Sequence, residues 1–122
     1  MTGEVRGIAG VRVLWYPAEG APFAGGADAL DLIAAAMDEG TGLVVLPVER
    51  LDRKFFDLST GAAGELVQKL VNYGVRLAIL GDIGTWLCES KSFREFAREC
   101  NRGRQVWFVN STGELEDRLA RR

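Results

Sequence analysis

The sequence contains no histidine among its 122 residues, and this absence excludes several common reaction centres. A Ser-His-Asp triad, a Cys-His protease site, a His-ligated zinc ion and a histidine phosphorelay all require an imidazole side chain. Two phosphate-binding motifs are missing as well, GxGxxG after the first parallel strand and GxxxxGK(S/T). We therefore predict that the protein is not an enzyme and that it holds no cofactor.

Cysteine is scarce, and no long apolar run is present. Cys88 and Cys100 have neither metal-ligand spacing nor a redox motif. Cys100 falls on an apolar helical stripe, where a buried, reduced thiol is expected. No apolar run reaches the length of a membrane span, and the first residues lack the basic start and apolar core of a signal peptide. We therefore expect a cytoplasmic protein that has no membrane partner.

No charge of one sign is in large excess. The chain has 15 Lys and Arg residues against 17 Asp and Glu residues, a net charge of −2, and both signs are scattered along it. A nucleic-acid binder usually carries a concentrated basic patch, so we predict no nucleic-acid partner. The basic runs at residues 101–104 and 118–122 are interpreted as last turns of helices, where cations complement the dipole. Gly103 is predicted to take a left-handed C-cap conformation, and contact of Arg104 with an anion or a partner is the alternative role for that run.

The composition predicts one folded domain over residues 1–122. Apolar residues make up 48% and charged residues 26%, which is ordinary for a globular chain. Apolar alternation and short apolar runs predict strands at residues 5–8, 11–16, 43–46, 75–80 and 105–109. Apolar residues at helical spacing predict helices that contain residues 30–39, 59–73, 93–100 and 111–119.

The order of these elements predicts the fold class. It reads β-β-α-β-α-β-α-β-α, and strands separated by single helices imply right-handed crossovers and parallel pairing. The first two strands, joined by Ala9 and Gly10, form a hairpin that adds one antiparallel strand at an edge. We predict an α/β domain with a mixed, mostly parallel sheet flanked by helices.

Local signals place the ends of several elements. Gly40 and Gly74 are predicted to end the first two helices. Residues 52–56 are expected to form one helical turn, and residues 81–89 a loop. The apolar residues that fall at helical spacing in the first helix are Leu30, Ile33, Ala34 and Met37.

Two capping boxes are predicted for the later helices. Ser92 with Glu95 has the spacing that opens the third helix, and Ser111 with Glu114 has the spacing that opens the last one.

Two long segments resemble a known bacterial family. Residues 55–81 read FFDLSTGAAGELVQKLVNYGVRLAILG, and residues 91–109 read KSFREFARECNRGRQVWFV. Together they closely resemble the family of domains of unknown function DUF4180, from the first helix to the last strand. The resemblance implies a bacterial protein, and it carries over no catalytic residue.

A shorter pattern is similar to STAS domains, the superfamily of anti-sigma-factor antagonists and of sulphate-transporter tails. Asp57-Leu58-Ser59-Thr60-Gly61 precedes a helix, which is followed by the strand at residues 75–80. In antagonists an Asp, two hydroxyl residues and a Gly open a helix, and the hydroxyl residue before the Gly is phosphorylated. The resemblance implies a STAS-like arrangement and a phosphorylation site at Thr60, although Leu58 makes the spacing here one residue longer.

The residue types also allow a switch at Ser59 and Thr60 on physical grounds. A helix N-terminus presents unpaired N–H groups and the positive end of the dipole, which stabilise a phosphate there. Phosphorylation at either residue would change a docking surface without changing the fold. The alternative is that Ser59 is the N-cap of the helix, and the two roles are compatible.

Polar residues that follow the strands are predicted to form a binding surface, since partners of open α/β sheets favour the carboxyl ends of strands. The predicted surface comprises Glu49, Asp57, Asp82, Trp86 and Asn110. The three acids could hold a divalent cation, but turn-forming and capping roles are the alternative, and we predict no metal. An exposed indole at Trp86, within the predicted loop, would be typical of an interface anchor.

Three functions remain open from the sequence. The first is a regulatory module that recognises another protein around the start of the second helix. The second is a small-ligand-binding domain that uses the carboxyl ends of the strands. The third is an enzyme with Asp57, Glu49 or Asp82 as acid-base group, which ranks last because no nucleophile–base pair is visible. A homodimer through the edge hairpin or a helix face stays open as well.

Overall fold

A hairpin opens the chain in the computed structural model, which describes residues 3–121. Strands β1 (Glu4–Ile8) and β2 (Val11–Trp15) pair antiparallel, with Glu4 opposite Trp15 and Ile8 opposite Val11. The connecting residues have positive φ, 50° at Ala9 and 80° at Gly10. Two such residues match the twist of the strands, which is why this short turn closes the hairpin. The predicted hairpin is confirmed.

Three further strands extend the sheet in parallel. They are β3 (Leu43–Pro47), β4 (Arg76–Leu80) and β5 (Val106–Val109), and the spatial order is β1-β2-β3-β4-β5. All five residues of β3 are buried, as expected for a strand covered on both faces. The predicted mixed, mostly parallel sheet with an antiparallel strand at its edge is confirmed.

Helices cover both faces of the sheet. They are α1 (Gly26–Glu39), α2 (Arg53–Phe56), α3 (Ala62–Tyr73), α4 (Gly84–Glu89), α5 (Lys91–Arg102) and α6 (Thr112–Ala120). The first five pack into the larger apolar core, whereas α6 contributes Leu115 and Leu119 to a smaller core on the other face. Gly40 and Gly74 end α1 and α3 with φ of 67° and 68°, which confirms the two predicted C-caps.

The face of α1 that packs on the sheet differs from the stripe picked out by sequence spacing. Of the four predicted residues only Ile33 is buried, while Leu30, Ala34 and Met37 are exposed. The buried face consists of Gly26, Ala29, Leu32, Ile33 and Ala36. These two stripes lie one residue apart, about 100° around the helix, and both are apolar, so spacing alone does not choose between them.

The loop predicted at residues 81–89 is wrong from residue 84 onward, where the chain forms α4. A helix of six residues is too short to show a periodic signal, and its stability comes from packing. The packing is visible at Trp86 and Leu87, which lie against the larger core. The helical turn predicted at residues 52–56 is confirmed as α2, with the Asp52 carboxylate accepting a hydrogen bond from Lys54 N.

Two predicted helix ends also need correction. Helix α5 is capped by Ser90, whose Oγ accepts from Phe93 N at 3.1 Å, and Ser92 lies inside the first turn. Gly103 is extended, with φ −88° and ψ −163°, and is not left-handed. The cap at Ser111 is confirmed, since its Oγ accepts from Glu114 N at 3.1 Å. The Glu114 carboxylate, however, faces the N–H of Asn110.

Within residues 3–121, no helix combines the length and the apolar character that crossing a bilayer requires.

The two cysteines are free, and their environments differ. Cys88 is exposed, while Cys100 is half-buried on α5. Burial raises the pKa of the Cys100 thiol to about 11, and the negative charge of Glu99 adds to the rise. Both causes disfavour the thiolate, which is the reactive form.

We expect alkylation of Cys100 in a Cys88→Ser variant to be slow at neutral pH and to accelerate steeply with pH. The rate should rise about tenfold per pH unit until it levels off near the thiol pKa of about 11. Iodoacetamide labelling followed by mass spectrometry measures this dependence, with the Cys100→Ser variant as its matched control. A plateau already reached near the ordinary thiol pKa of ~8.5 would contradict it.

Candidate functional site

The segment that contains the predicted switch is anchored by an aromatic cluster. Phe55 and Phe56 of α2 are buried, and the Phe55 ring contacts Phe96 and Phe108 with centroid distances of 6.4 Å each. Phe56 stacks on Trp86, with centroids 4.4 Å apart and planes 5° apart. Trp86 is therefore a half-buried residue of α4 and not a loop residue, while its role in binding stays a prediction.

Asp57 caps the turn in which Ser59 lies. A 3-10 turn spans Leu58–Thr60, and Asp57 Oδ1 accepts from Ser59 N at 3.1 Å and from Ser59 Oγ at 2.6 Å. Ser59 is thus a donor to the cap and not the N-cap itself, which corrects the alternative role predicted for it. Both side chains are exposed.

Thr60 lies at the start of α3. Its Oγ1 is 2.8 Å from the carbonyl oxygens of Lys54 and Asp57, and it accepts from Ala62 N at 3.2 Å. Gly61 has φ 79° and separates the 3-10 turn from α3, so the helix begins at Ala62, later than predicted. Thr60 is an exposed residue that lies two positions before the first residue of α3. Its hydroxyl is engaged in the contacts with Lys54, Asp57 and Ala62, and its phosphorylation stays a prediction.

The remaining residues of the predicted surface are all exposed but have local roles. Glu49 belongs to the 3-10 turn after β3. Asp82 Oδ1 accepts from Gly84 N at 2.8 Å at the start of α4, a capping role like that of Asp57. Asn110 follows β5. Among residues 3–121, no three His, Cys, Asp or Glu side chains converge into a group able to hold a metal ion.

A pocket of about 280 Å³ lies at the carboxyl ends of β4 and β5. Asn110 lines it, together with Arg94 and Arg98 of α5, whereas Glu49, Asp57 and Asp82 do not. Its volume falls just below the common range for small-molecule sites, roughly 300–1,000 Å³.

Helix α1 has an exposed apolar stripe, and three of its residues, Leu30, Ala34 and Met37, were picked out by sequence spacing as part of the face that packs on the sheet. The stripe consists of Ala27, Leu30, Ala34 and Met37, separated by three, four and three residues. Leu30 is 42% exposed and Met37 58% exposed, and their place on one helix face makes a continuous apolar strip. The sequence does indicate this stripe, because the residues of α1 are apolar around most of the helix and cannot all face the sheet.

The apolar stripe forms one wall of a groove between α1 and α3. The groove has a volume of about 690 Å³ and is lined by Gly26, Ala27 and Leu30 on one side. The α3 side consists of Gly64, Glu65, Gln68, Lys69 and Asn72, so its one acidic and one basic side chain balance in charge. Gly64 has no atom within 4 Å of the position of a Cβ, so the α3 side of the groove is open.

Every charged residue of α1 is acidic. They are Asp28, Asp31, Asp38 and Glu39. Asp31 and Asp38 are exposed and follow Leu30 and Met37 directly in the chain, so carboxylates flank the apolar stripe. The surface therefore combines exposed apolar side chains with negative charge.

The sheet order, with crossover helices on one face and α6 on the other, defines an α/β domain with a mixed five-stranded sheet. The chain belongs to the family Domain of unknown function (DUF4180), whose model matches residues 8–119. The resemblance to this family is confirmed. No curated protein and no solved structure matches the chain, and the more distant likeness to STAS domains stays a prediction.

Proposed function

We propose that this protein is a regulatory, STAS-like interaction module that binds another protein through the apolar stripe of α1 and the α1–α3 groove. Phosphorylation at Thr60 controls this contact. The observation that carries the proposal is the stripe of four exposed apolar residues on α1. Soluble helices normally place polar side chains on the solvent face, and exposed apolar patches are typical of interfaces.

The geometry of the stripe favours a helical partner. Its spacing of three, four and three residues is that of the a and d positions of a coiled-coil seam. Leu30 projects beside the groove, which is open at Gly64. An amphipathic helix typically binds by placing its apolar face in such a groove.

The charge of α1 indicates which helix fits. Its carboxylates would attract lysine and arginine side chains flanking the apolar face of the partner. A second copy of this chain is a poorer occupant of the same face, because two α1 helices would bring like charges together. Association through the edge strand β1 is not affected by this argument.

Thr60 is better placed for the switch than Ser59. A phosphate on Ser59 would lie against the Asp57 carboxylate, to which the hydroxyl now donates at 2.6 Å. A phosphate on Thr60 would break the contacts of its hydroxyl with the Lys54 and Asp57 carbonyl oxygens, which are uncharged, and would keep Ala62 N as a donor. It would add about two negative charges just before α3, where the dipole stabilises them.

The Thr60 site lies close to the groove. Gly26 at the start of α1 approaches Glu65 in the first turn of α3, with Gly26 N 3.4 Å from Glu65 Oε1. Phosphorylation would therefore increase the negative charge at this end of the groove, and we expect it to strengthen binding of a basic helix.

Site-specific photo-crosslinking in the host cell tests the docking surface. A photoreactive residue at Ala34 is expected to capture a partner, and the same residue at exposed Ala120 on α6 is the matched control. The crosslinked peptide, identified by mass spectrometry, should carry apolar residues at helical spacing flanked by Lys or Arg. Leu30→Glu should reduce the yield about tenfold without unfolding the chain, because exposed positions change stability by about 0.5 kcal/mol or less.

Three crosslinking results would contradict the docking proposal. One is equal yield at Ala34 and Ala120, and another is a captured peptide without basic residues. The third is a peptide of this same chain, which would make the surface a dimer interface. For the switch, intact-mass analysis of protein from its own host should show one phosphoryl group at Thr60, and Thr60→Glu should raise the crosslink yield. A chain that is never modified there would remove the control and leave the docking surface standing.

The alternative is a small-ligand-binding domain that uses the carboxyl ends of the strands. The pocket beside Asn110, with Arg94 and Arg98 in its wall, favours this function. Native mass spectrometry of the same preparation decides between them, because a stoichiometric small molecule lost by Asn110→Ala would place ligand binding first.

A further inference from the structure

A strongly basic groove of about 640 Å³ lies near the starts of β4 and β5, at the end of the sheet opposite the pocket beside Asn110. Five arginines line it, and of the described residues that form its wall none is acidic. They are Arg76, Arg102, Arg104, Arg118 and Arg121. A third of the 15 basic residues of the chain therefore meet in one groove, although the chain as a whole is slightly acidic.

The topology explains why these arginines converge. Helices that follow parallel strands run back toward the amino ends of the strands. Helices α5 and α6 therefore both end near the amino ends of β4 and β5. The basic runs at residues 101–104 and 118–121, interpreted separately as helix ends from the sequence, become neighbours there. Concentrated basic charge, which the sequence does not show, is thus created by the fold.

The floor of the groove is built around Trp107. This side chain is buried, and the guanidinium carbons of Arg76 and Arg118 each lie 4.7 Å from its ring centroid. Trp107 Nε1 donates to the Gly103 carbonyl at 2.8 Å, and Arg76 Nε donates to the Arg104 carbonyl at 2.9 Å. These contacts hold the two guanidinium groups in fixed positions before any ligand arrives.

The rim of the groove is more accessible. Three of the arginines are exposed, namely Arg102, Arg104 and Arg121. Arg102 forms a solvent-exposed ion pair with Glu99, in which Nη1 lies 3.4 Å from Oε2. Such an exposed ion pair is weak and is readily replaced by a more strongly charged ligand. Arg76 and Arg118 are thus held against Trp107, whereas the three rim arginines can adjust to a ligand. Together the five positive charges line one concave site.

We propose that this groove binds a small anion that carries two or more phosphate groups. Guanidinium groups match phosphate oxygens in bidentate geometry, and the volume lies within the usual range for small-molecule sites. Single-stranded nucleic acid is disfavoured, because base stacking needs an exposed aromatic face and the aromatic side chain of the groove, Trp107, is buried.

Isothermal titration calorimetry with inorganic tripolyphosphate tests the proposal on the full chain. We expect submillimolar binding at low ionic strength that weakens as salt is added. Arg104→Glu and Arg121→Glu should each weaken it at least tenfold. Arg53→Glu, an exposed arginine on α2 that does not line the groove, makes the same charge change and should leave the affinity within about twofold.

Several results would overturn the proposal. Undetectable binding would mean that the arginines serve only the negative ends of α5 and α6. Equal losses for Arg104→Glu and Arg53→Glu would mean that only net charge matters. Binding of citrate as tight as that of tripolyphosphate would remove the preference for phosphate, and tighter binding of an oligothymidylate at equal phosphate concentration would make the groove a nucleic-acid surface.

Discussion

Replacing Phe93 with alanine is expected to lower the free energy of unfolding by about 3–5 kcal/mol. Phe93 is fully buried on α5, and its ring contacts Phe56, Phe96 and Phe108 with centroid distances of 5.3, 6.1 and 5.6 Å. Removing the ring leaves a cavity between α2, α5 and β5. Urea unfolding followed by circular dichroism measures the change as a shift of the midpoint at constant slope.

A matched substitution on the same helix tests the cause. Phe96 is half-buried, so Phe96→Ala should lower the free energy of unfolding by only roughly 1–2 kcal/mol. If Phe93→Ala does not fold, Phe93→Leu keeps most of the volume and should cost about 1 kcal/mol. Equal losses for Phe93→Ala and Phe96→Ala would contradict the view that burial in the aromatic cluster sets the effect. The cluster also bears on function, because it anchors α2, whose Lys54 carbonyl accepts from Thr60.

Arg50→Ala is expected to lower the free energy of unfolding by about 2–4 kcal/mol, because hydrogen bonds from charged groups are strong. Arg50 is only 3% exposed, and its guanidinium donates to the carbonyl oxygens of Pro17, Glu19 and Ala21 at 3.0, 3.1 and 3.0 Å. It also lies 5.0 Å from the ring centroid of Phe23. One buried cation thus binds three carbonyls of the loop that precedes α1. Chemical denaturation measures the loss, and Arg53→Ala, on the exposed side of α2, should change stability by about 0.5 kcal/mol or less.

Gly20 provides a second way to test the same contact. Its φ is +140°, and a Cβ there would lie 2.6 Å from Arg50 Cζ, so Gly20→Ala should destabilise through both strain and collision. Combining Gly20→Ala with Arg50→Ala removes the collision and leaves the strain. The double variant should therefore be more stable than the sum of the two single losses predicts, by about 1 kcal/mol or more. Strict additivity would show that a Cβ at residue 20 does not collide with the Arg50 side chain.

The ionisation of Tyr16 gives a readout of Arg50 that does not depend on unfolding. Burial raises the pKa of the Tyr16 hydroxyl, and the positive charge of Arg50 opposes that rise. Removing Arg50 should therefore raise the pKa of Tyr16 further, which an ultraviolet pH titration detects when Tyr73, the other tyrosine, is replaced by Phe in both proteins. An unchanged titration would indicate that the guanidinium does not lie near the ring in solution.

Sequence patterns predicted the turns and several helix ends correctly, because the interactions that form these features are local. The hairpin at Ala9 and Gly10 follows from residues that accept positive φ, and Gly40 and Gly74 end helices for the same reason. The cap at Ser111 depends on a hydrogen bond three residues along the chain. Each signal and its structural effect lie within one turn, so the residues themselves are sufficient.

The predicted site was only partly accessible to the same reasoning. The start of α3 could be placed near Thr60, because Asp57, Ser59 and Gly61 are residues of a helix start. Which of them caps could not be predicted, since several neighbouring side chains offer the same donors and acceptors. For the same reason Ser90 and not Ser92 caps α5.

The sequence by itself determined the α/β class, the strand order along the chain and the absence of imidazole chemistry, since these depend on composition and on short-range periodicity. Tertiary structure alone decided which apolar stripe of α1 faces the sheet, which leaves Leu30 and Met37 in solvent. It also decided that Arg50 is buried under a distant loop and that two separate arginine runs share one groove. These outcomes depend on contacts between residues far apart in the chain, and such contacts follow from how the helices close on the sheet.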